Sequence, residues 1–273
     1  MDKLHGTPEV FLSRPATKAE QQGWFLEQLF RVMDKTGDVM SQVRNENPSW
    51  RPDDPRIAVF GQLYNGFASA FSVFDLAYIE DDRFWREVYP GINRHWTGEG
   101  DLVLFRKNLE TFAQSGLMSS IASAVEPLIR KCLRIVAPGR CDNGRATSGS
   151  VRNAFFAVLR KPSLPALPAN HEETLDVFYW IRNTVHNNGY FLPPKSKSQK
   201  GTYEGIEYDF QDGELLVSKH RLIIKVFEKI GELLYCVVMH PAIRHVDARK
   251  FAYCPKNAEW GETLEEARRN GGG

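Results

Sequence analysis

The stretch NHEETLDVFYWIRNTVHNNG, residues 170–189, decides the fold class. Leu175, Phe178, Tyr179, Ile181 and Val185 recur at helical spacing and form one apolar arc. Glu172, Glu173, Asp176, Asn183, Thr184 and Asn187 fall on the opposite arc. Asn170 with Glu173 reads as a capping box that opens the helix, and Gly189 with Pro193 and Pro194 closes it. A helix of this pattern buries its apolar arc against other helices. Arg182 and His186 stand one turn apart in the middle of that arc. Ionisable groups centred on an apolar face must be paired, line a cleft or meet a subunit interface. This pair is therefore the candidate site.

The flanking segments repeat the helical period. Thr17 with Glu20 predicts a capping box before Phe25, Leu26, Leu29, Phe30 and Met33. Asp54 and Pro55 read as an N-cap and first-turn proline before Phe60, Leu63, Tyr64, Phe67, Phe71 and Phe74. Gly61 and Gly66 within that run point to close helix packing. Pro90, Gly91, Gly98 and Gly100 mark a boundary. Two helical runs follow, at roughly 101–115 and 117–136, the second with Glu126 and Arg130 as an i,i+4 pair. A short helix is expected over 150–160 and a long one over about 219–239, ended by Pro241. Alternation in Ile206–Phe210 predicts a strand, Asp212 and Gly213 a turn, and Leu215–Val217 the returning strand. The expected organisation is a helical extension over 1–98, a helical domain over 99–248 with a hairpin near 202–217, and a polar tail over 249–273.

With 42% apolar and 25% charged residues the composition is that of a globular chain, and a net charge of +1 means that any nucleic-acid site is a local patch. The cysteines Cys132, Cys141, Cys236 and Cys254 form no C-x-x-C pair, which argues against a zinc site or a disulfide framework and for a reducing cytoplasm. The opening MDKLHG lacks an apolar signal core, and the longest unbroken apolar run, 233–239, is too short for a bilayer. A cytoplasmic chain with no membrane contact, metal or cofactor is expected. No P-loop, dinucleotide fingerprint, nucleophile elbow or H-E-x-x-H motif occurs. His240, Arg244 and His245 read as caps of the last long helix, and Glu204, Glu207, Asp209, Asp212 and Glu214 as the solvated face of the hairpin.

Val177–Tyr203 holds no Asp or Glu but carries Arg182, Lys195, Lys197 and Lys200, together with Trp180, Tyr190 and Phe191. Such a basic, aromatic segment suits a phosphate backbone and stacked bases, although the rings serve equally as packing residues. Arginine offers phosphate a planar fork of donors, and histidine moves protons near neutrality. Cleavage of RNA by its own 2′-hydroxyl needs a proton acceptor, a proton donor and positive charge on the phosphorane, with no metal. The plainer alternative is that Arg182 and His186 bond carbonyls of a neighbouring helix or loop.

The Arg-Asn-x-x-His core at Arg182, Asn183 and His186, the helices before it, the Asn-Asn-Gly exit and the hairpin and long helix after it resemble the HEPN superfamily over about residues 100–245. The family pattern places four to six residues between Arg and His; this chain has three, which aligns both on one helical stripe. The resemblance implies a mainly α helical bundle of HEPN type with one inserted β-hairpin and an N-terminal helical extension. It implies a homodimer whose two Arg…His motifs meet in a composite site, and a metal-independent endoribonuclease of toxin–antitoxin or phage-defence systems. Arg182 and His186 would be its catalytic pair and Asn183 its assisting polar residue. Lys195, Lys197, Lys200 and Tyr190 would then contact RNA, and an antitoxin or regulatory protein would be a further partner. Members without nuclease activity serve as dimerisation or partner-binding modules, which is the alternative function.

Overall fold

The computed structural model describes residues 17–88, 99–137, 148–160, 167–168, 170–187, 190–192, 198–213 and 220–252. In chain order the elements are α1 (Lys18–Glu46), α2 (Pro55–Ala77), α3 (Asp82–Val88), α4 (Glu99–Val136), α5 (Ser148–Leu159), α6 (Asn170–His186), β1 (Gln199–Tyr203), β2 (Ile206–Phe210), α7 (His220–Met239), α8 (Pro241–Arg244) and α9 (Ala248–Ala252). Helix takes 78% of the described residues and the strands form one two-stranded antiparallel sheet, so the chain is mainly α.

Both N-terminal caps form as the sequence predicts. Thr17 Oγ1 accepts from the Glu20 backbone N–H at 3.2 Å, and Glu20 Oε2 accepts from the Thr17 N–H at 2.8 Å. Asp54 caps α2 by accepting from the Arg56 N–H at 2.9 Å, with Pro55 in the first turn. Helix α2 packs against both α1 and α4. By length and composition it is, among the described residues, the one helix apolar enough to cross a membrane. Here its Ile57, Phe60, Leu63, Phe67 and Phe74 are buried in the bundle.

Gly66 sets the approach of α2 to α4. A Cβ built there lies 2.5 Å from Ser120 Oγ and 3.1 Å from Ser120 Cβ. Gly66→Ala is therefore expected to destabilise the fold by about 1–3 kcal/mol through overpacking, despite the better helix propensity of alanine. Adding Ser120→Ala removes the closest atom and should restore most of the loss, as read by urea denaturation of both variants. Equal stability of wild type and Gly66→Ala would refute the close contact.

Two expectations change. The runs 101–115 and 117–136 are one helix of 38 residues that carries Gly116 and Pro127 inside it. A helical glycine costs about 1 kcal/mol, which packing along α2 offsets, and Pro127 lies exposed on the outer face without ending the helix. The hairpin forms with the upstream flank. β1 pairs with β2 in the register Lys200↔Asp209 and Tyr203↔Ile206, and Glu204 and Gly205, at φ 47° and 77°, make the two-residue turn. Alternation locates a strand but leaves open which flank pairs with it. The expected return strand, Leu215–Val217, lies outside the described residues.

The sheet is fastened to α6. Thr174 Oγ1 donates to the Asn170 carbonyl at 2.8 Å, so its bond to Tyr203 Oη at 2.9 Å has the phenol as donor. Asn170 is the first residue of α6, and its Nδ2 donates to Glu204 Oε1 at 3.1 Å. The expected capping role of Asn170 is thereby replaced, because the hairpin turn offers its side chain a carboxylate. Trp180 lies on Tyr208 and Phe210, with ring centroids 5.7 and 6.0 Å away. One core runs from Phe25 to Phe251, so helices on both sides of the boundary expected near residue 98 share it.

Candidate functional site

Helix α6 lies against α4, α7 and the hairpin, and its polar arc is half-buried. Two arginines reach it: Arg152 of α5 pairs with Asp176, and Arg160, just past the end of α5, pairs with Glu172. Thr184 is 1% exposed, and its hydroxyl donates to the Trp180 carbonyl at 2.8 Å. The two-sided amphipathic reading is thus corrected. Charged residues on and just past a second helix turn the acidic arc into an interface.

Arg182 is half-buried. Its Nη1 donates to Asn183 Oδ1 at 3.2 Å, and its Nε is buried with no hydrogen-bond partner. No carboxylate and no backbone carbonyl pairs with it among the described residues. Among the described residues, Asn183 is the one hydrogen-bond partner of this guanidinium.

Tyr179, one turn earlier, is 9% exposed. Burial pushes its hydroxyl up to about 12, helped by Glu126, while Arg182, Arg130 and Arg152 pull the other way. The charges of three arginines, from α4, α5 and α6, thus act on one phenol. Arg130 is held by Glu126 at 2.7 Å and Arg152 by Asp176. Among the described residues, Arg182 has no paired carboxylate. Of these neighbours the sequence exposed only the Glu126–Arg130 pair; the parts played by Tyr179 and Arg152 depend on which helices meet.

His186 ends α6, one turn beyond Arg182; its side chain lies outside the described residues, as do Asn188, Gly189, Lys195 and Lys197. The Asn187 N–H donates to the Asn183 and Thr184 carbonyls, both at 3.1 Å, where the helix ends. Lys200 is exposed on β1 with its Nζ 3.9 Å from Asp209 Oδ2, so the acid-free segment meets an acid across the hairpin. Tyr190 is 48% exposed, whereas Phe191 is buried against Phe210 at 5.3 Å. Of the three aromatic residues Tyr190 is the exposed one, while Trp180 is half-buried against the hairpin. No hydrogen bond or ion pair joins Lys200 or Tyr190 to Arg182 among the described residues.

Glu204, Glu207, Asp209 and Asp212 are exposed, and Glu214 lies outside the described residues. No group of three or more His, Cys, Asp or Glu residues able to hold a metal occurs among the described residues. Cys132 and Cys236 are free thiols, and burial pushes the Cys132 thiol up to about 12, so it stays protonated near neutrality. The capping expected of residues 240–245 is redirected. His240 Nδ1 accepts from the Ala242 N–H at 3.2 Å and opens α8. Arg244 donates to Asn47 Oδ1 at 2.9 Å and the Glu46 carbonyl at 3.0 Å, so it closes α1 instead of α7. Comparison of the chain with protein-family models, with curated proteins and with solved structures finds no match.

Proposed function

We propose that the chain is a metal-independent endoribonuclease of HEPN type that acts as a homodimer in the cytoplasm, in a toxin or phage-defence role. The supporting observation is the half-buried Arg182, whose Nε is buried and unpaired and which no carboxylate pairs with among the described residues. A charge partly withdrawn from water needs an anion, and the fork of a guanidinium matches two phosphate oxygens. Asn183 orients the fork through its 3.2 Å bond to Nη1. Lys195, Lys197 and Lys200 track the RNA backbone, and Tyr190 offers a ring to a base.

The reaction balances without a co-reactant. A base takes the proton of the 2′-hydroxyl, O2′ bonds to phosphorus, and the P–O5′ bond breaks. The leaving O5′ takes a proton, which gives a 2′,3′-cyclic phosphate and a 5′-hydroxyl. His186 of one protomer serves as base and His186 of the other as acid, and Arg182 carries the phosphorane charge. Incubation of the full chain with total RNA in EDTA should give ends bearing 2′,3′-cyclic phosphate. Ends bearing 3′-hydroxyl, or RNA left intact, would overturn this chemistry.

The second reading is a partner-binding module. It is favoured by Val103, Leu104 and Phe112 on α4, which are 62%, 57% and 69% exposed. Under it, Arg182→Ala costs assembly or stability and no turnover is found.

A further inference from the structure

Helices α2 and α4 leave between them an open groove of about 520 Å³. Gln62, Asn65 and Ser69 of α2 and Phe112, Gly116 and Ser123 of α4 line it, and all six are exposed. Ala70 and Leu117 lie buried beneath them. Among the described residues no charged side chain lines the groove, and Phe112 at its edge is 69% exposed. The open side of α1 is different, with Glu27, Arg31, Asp34, Lys35, Asp38 and Arg44 exposed. Depletion of charge beside an exposed aromatic ring is the composition of an interface core. A Cβ built on Gly116 meets nothing within 4 Å, so this wall has room for a side chain from outside.

The chain itself supplies an occupant of the right reach and pattern. Its described part ends at Ala252 in α9, which packs against both α2 and α4. The Phe251 ring lies 4.7 Å from the Arg56 guanidinium, at the start of α2. Ser120 in the groove stands against Gly66, which is about 15 Å along α2 from Arg56. The residues from Ala252 to Trp260 span up to about 28 Å, so Trp260 reaches the level of Ser120.

Trp260, Leu264 and Ala267 recur at i, i+4 and i+7, while Glu262, Glu265, Glu266 and Arg269 fall on the opposite arc of the same period. As a helix, residues 258–268 measure about 16 Å, the length of the groove from Gln62 to Val73. The step from Trp260 to Leu264 equals that from Ser120 to Gly116, so an antiparallel run on α4 sets the stripe over the groove. The neutral walls fit that stripe and leave the charged arc in water. An isolated helix this short, with Gly261 inside it, is marginal in water, so its order reports the groove contact.

We propose that residues 258–268 dock as a helix in the α2–α4 groove of their own chain, with Trp260 above Ser120, Leu264 above Gly116 and Ala267 beside Phe112. This contact does not depend on the ribonuclease reading. Amide exchange of the full chain, read by mass spectrometry over 258–268, tests it. In the wild type these amides should exchange at least about tenfold more slowly than in Leu264→Asp, which puts a charge on the apolar stripe. Gly116→Tyr and Ser69→Glu alter the two walls at exposed positions and should release the same protection. Both should keep the helix content of the wild type by circular dichroism, and the two stand as independent tests should one fail to fold. Wild-type amides that exchange at the rate of an unstructured peptide overturn the proposal. So do equal rates in wild type and Leu264→Asp, or protection that survives in either folded wall variant. Protection lost on dilution of the wild type also overturns it, by assigning the groove to the segment of a second copy.

Discussion

Arg182→Ala is expected to lower RNA cleavage by about 10²- to 10³-fold, the loss that follows removal of one charge-stabilising donor from a transition state. His186→Ala should lower it by about 10²- to 10⁴-fold, the usual contribution of a positioned acid or base. The double variant should be little worse than the more damaged single one, because the pair acts as a unit. Arg182→Lys keeps the charge and loses the planar fork, so it should recover only part of the activity. Stability separates the two functional readings. In the folded chain Arg182 makes one side-chain hydrogen bond and leaves a buried Nε unpaired, so its removal deletes a desolvation penalty along with a weak contact. Arg182→Ala should therefore unfold at the same urea concentration as wild type or a slightly higher one, the pattern of a residue kept for binding at a cost in stability. A variant that loses about 2 kcal/mol or more of stability while cleavage is unchanged would assign Arg182 to structure, since surface substitutions alter stability by about 0.5 kcal/mol.

Arg56→Ala is expected to be the most damaging single change to the fold, at about 3–5 kcal/mol, the cost of breaking a buried ion pair from one side. Arg56 is 1% exposed and lies between the Trp50 and Phe251 rings, 3.8 and 4.7 Å from their centroids. Its Nη2 and Nε donate to the Asp54 carboxylate at 2.6 and 2.9 Å. Its Nη1 is within 3.0 Å of the Ile243, Arg244 and Val246 carbonyls. Removing it strands a buried carboxylate and three carbonyls together, and it unfastens α8 and α9 from the start of α2. Urea denaturation should report the loss, and amide exchange should quicken first over 241–252. If Arg56→Ala does not accumulate in folded form, Arg56→Lys gives the second measurement: it keeps the charge, loses the two-pronged bond to Asp54, and should still cost more than about 1 kcal/mol. A loss below that in both variants would show that the cluster is incidental. Asp54 was recognisable in the sequence as a helix cap; its second partnership was not, because the carbonyls that complete the Arg56 shell come from residues nearly 190 positions away.

How far the sequence reaches can be followed residue by residue. The Thr17–Glu20 box, the Asp54–Pro55 start of α2 and the strand at 206–210 formed where their local signals placed them. Gly66 was marked as a point of close packing, and its partner proved to be Ser120. Asn170 met a different fate: its local cap signal lost to Glu204, which the hairpin brought within reach. The two runs expected at 101–115 and 117–136 joined into one helix through Gly116, because packing against α2 outweighs the propensity cost of that glycine. For the candidate site the sequence supplied Arg182, Asn183 and His186, and separately the Glu126–Arg130 pair, but not the influence of Arg130, Arg152 and Arg182 on Tyr179.

By itself the sequence determined that this protein is mainly helical, where α1 and α2 begin, and most of the apolar residues that turn inward. Those outcomes follow from capping bonds and a 3.6-residue period, which act within a few residues of one another. Only the tertiary structure decided that Arg152 and Arg160 reach the acids of α6, and that among the described residues no carboxylate pairs with Arg182. Which charge finds a partner is settled by the packing of whole helices, and no local pattern carries that information.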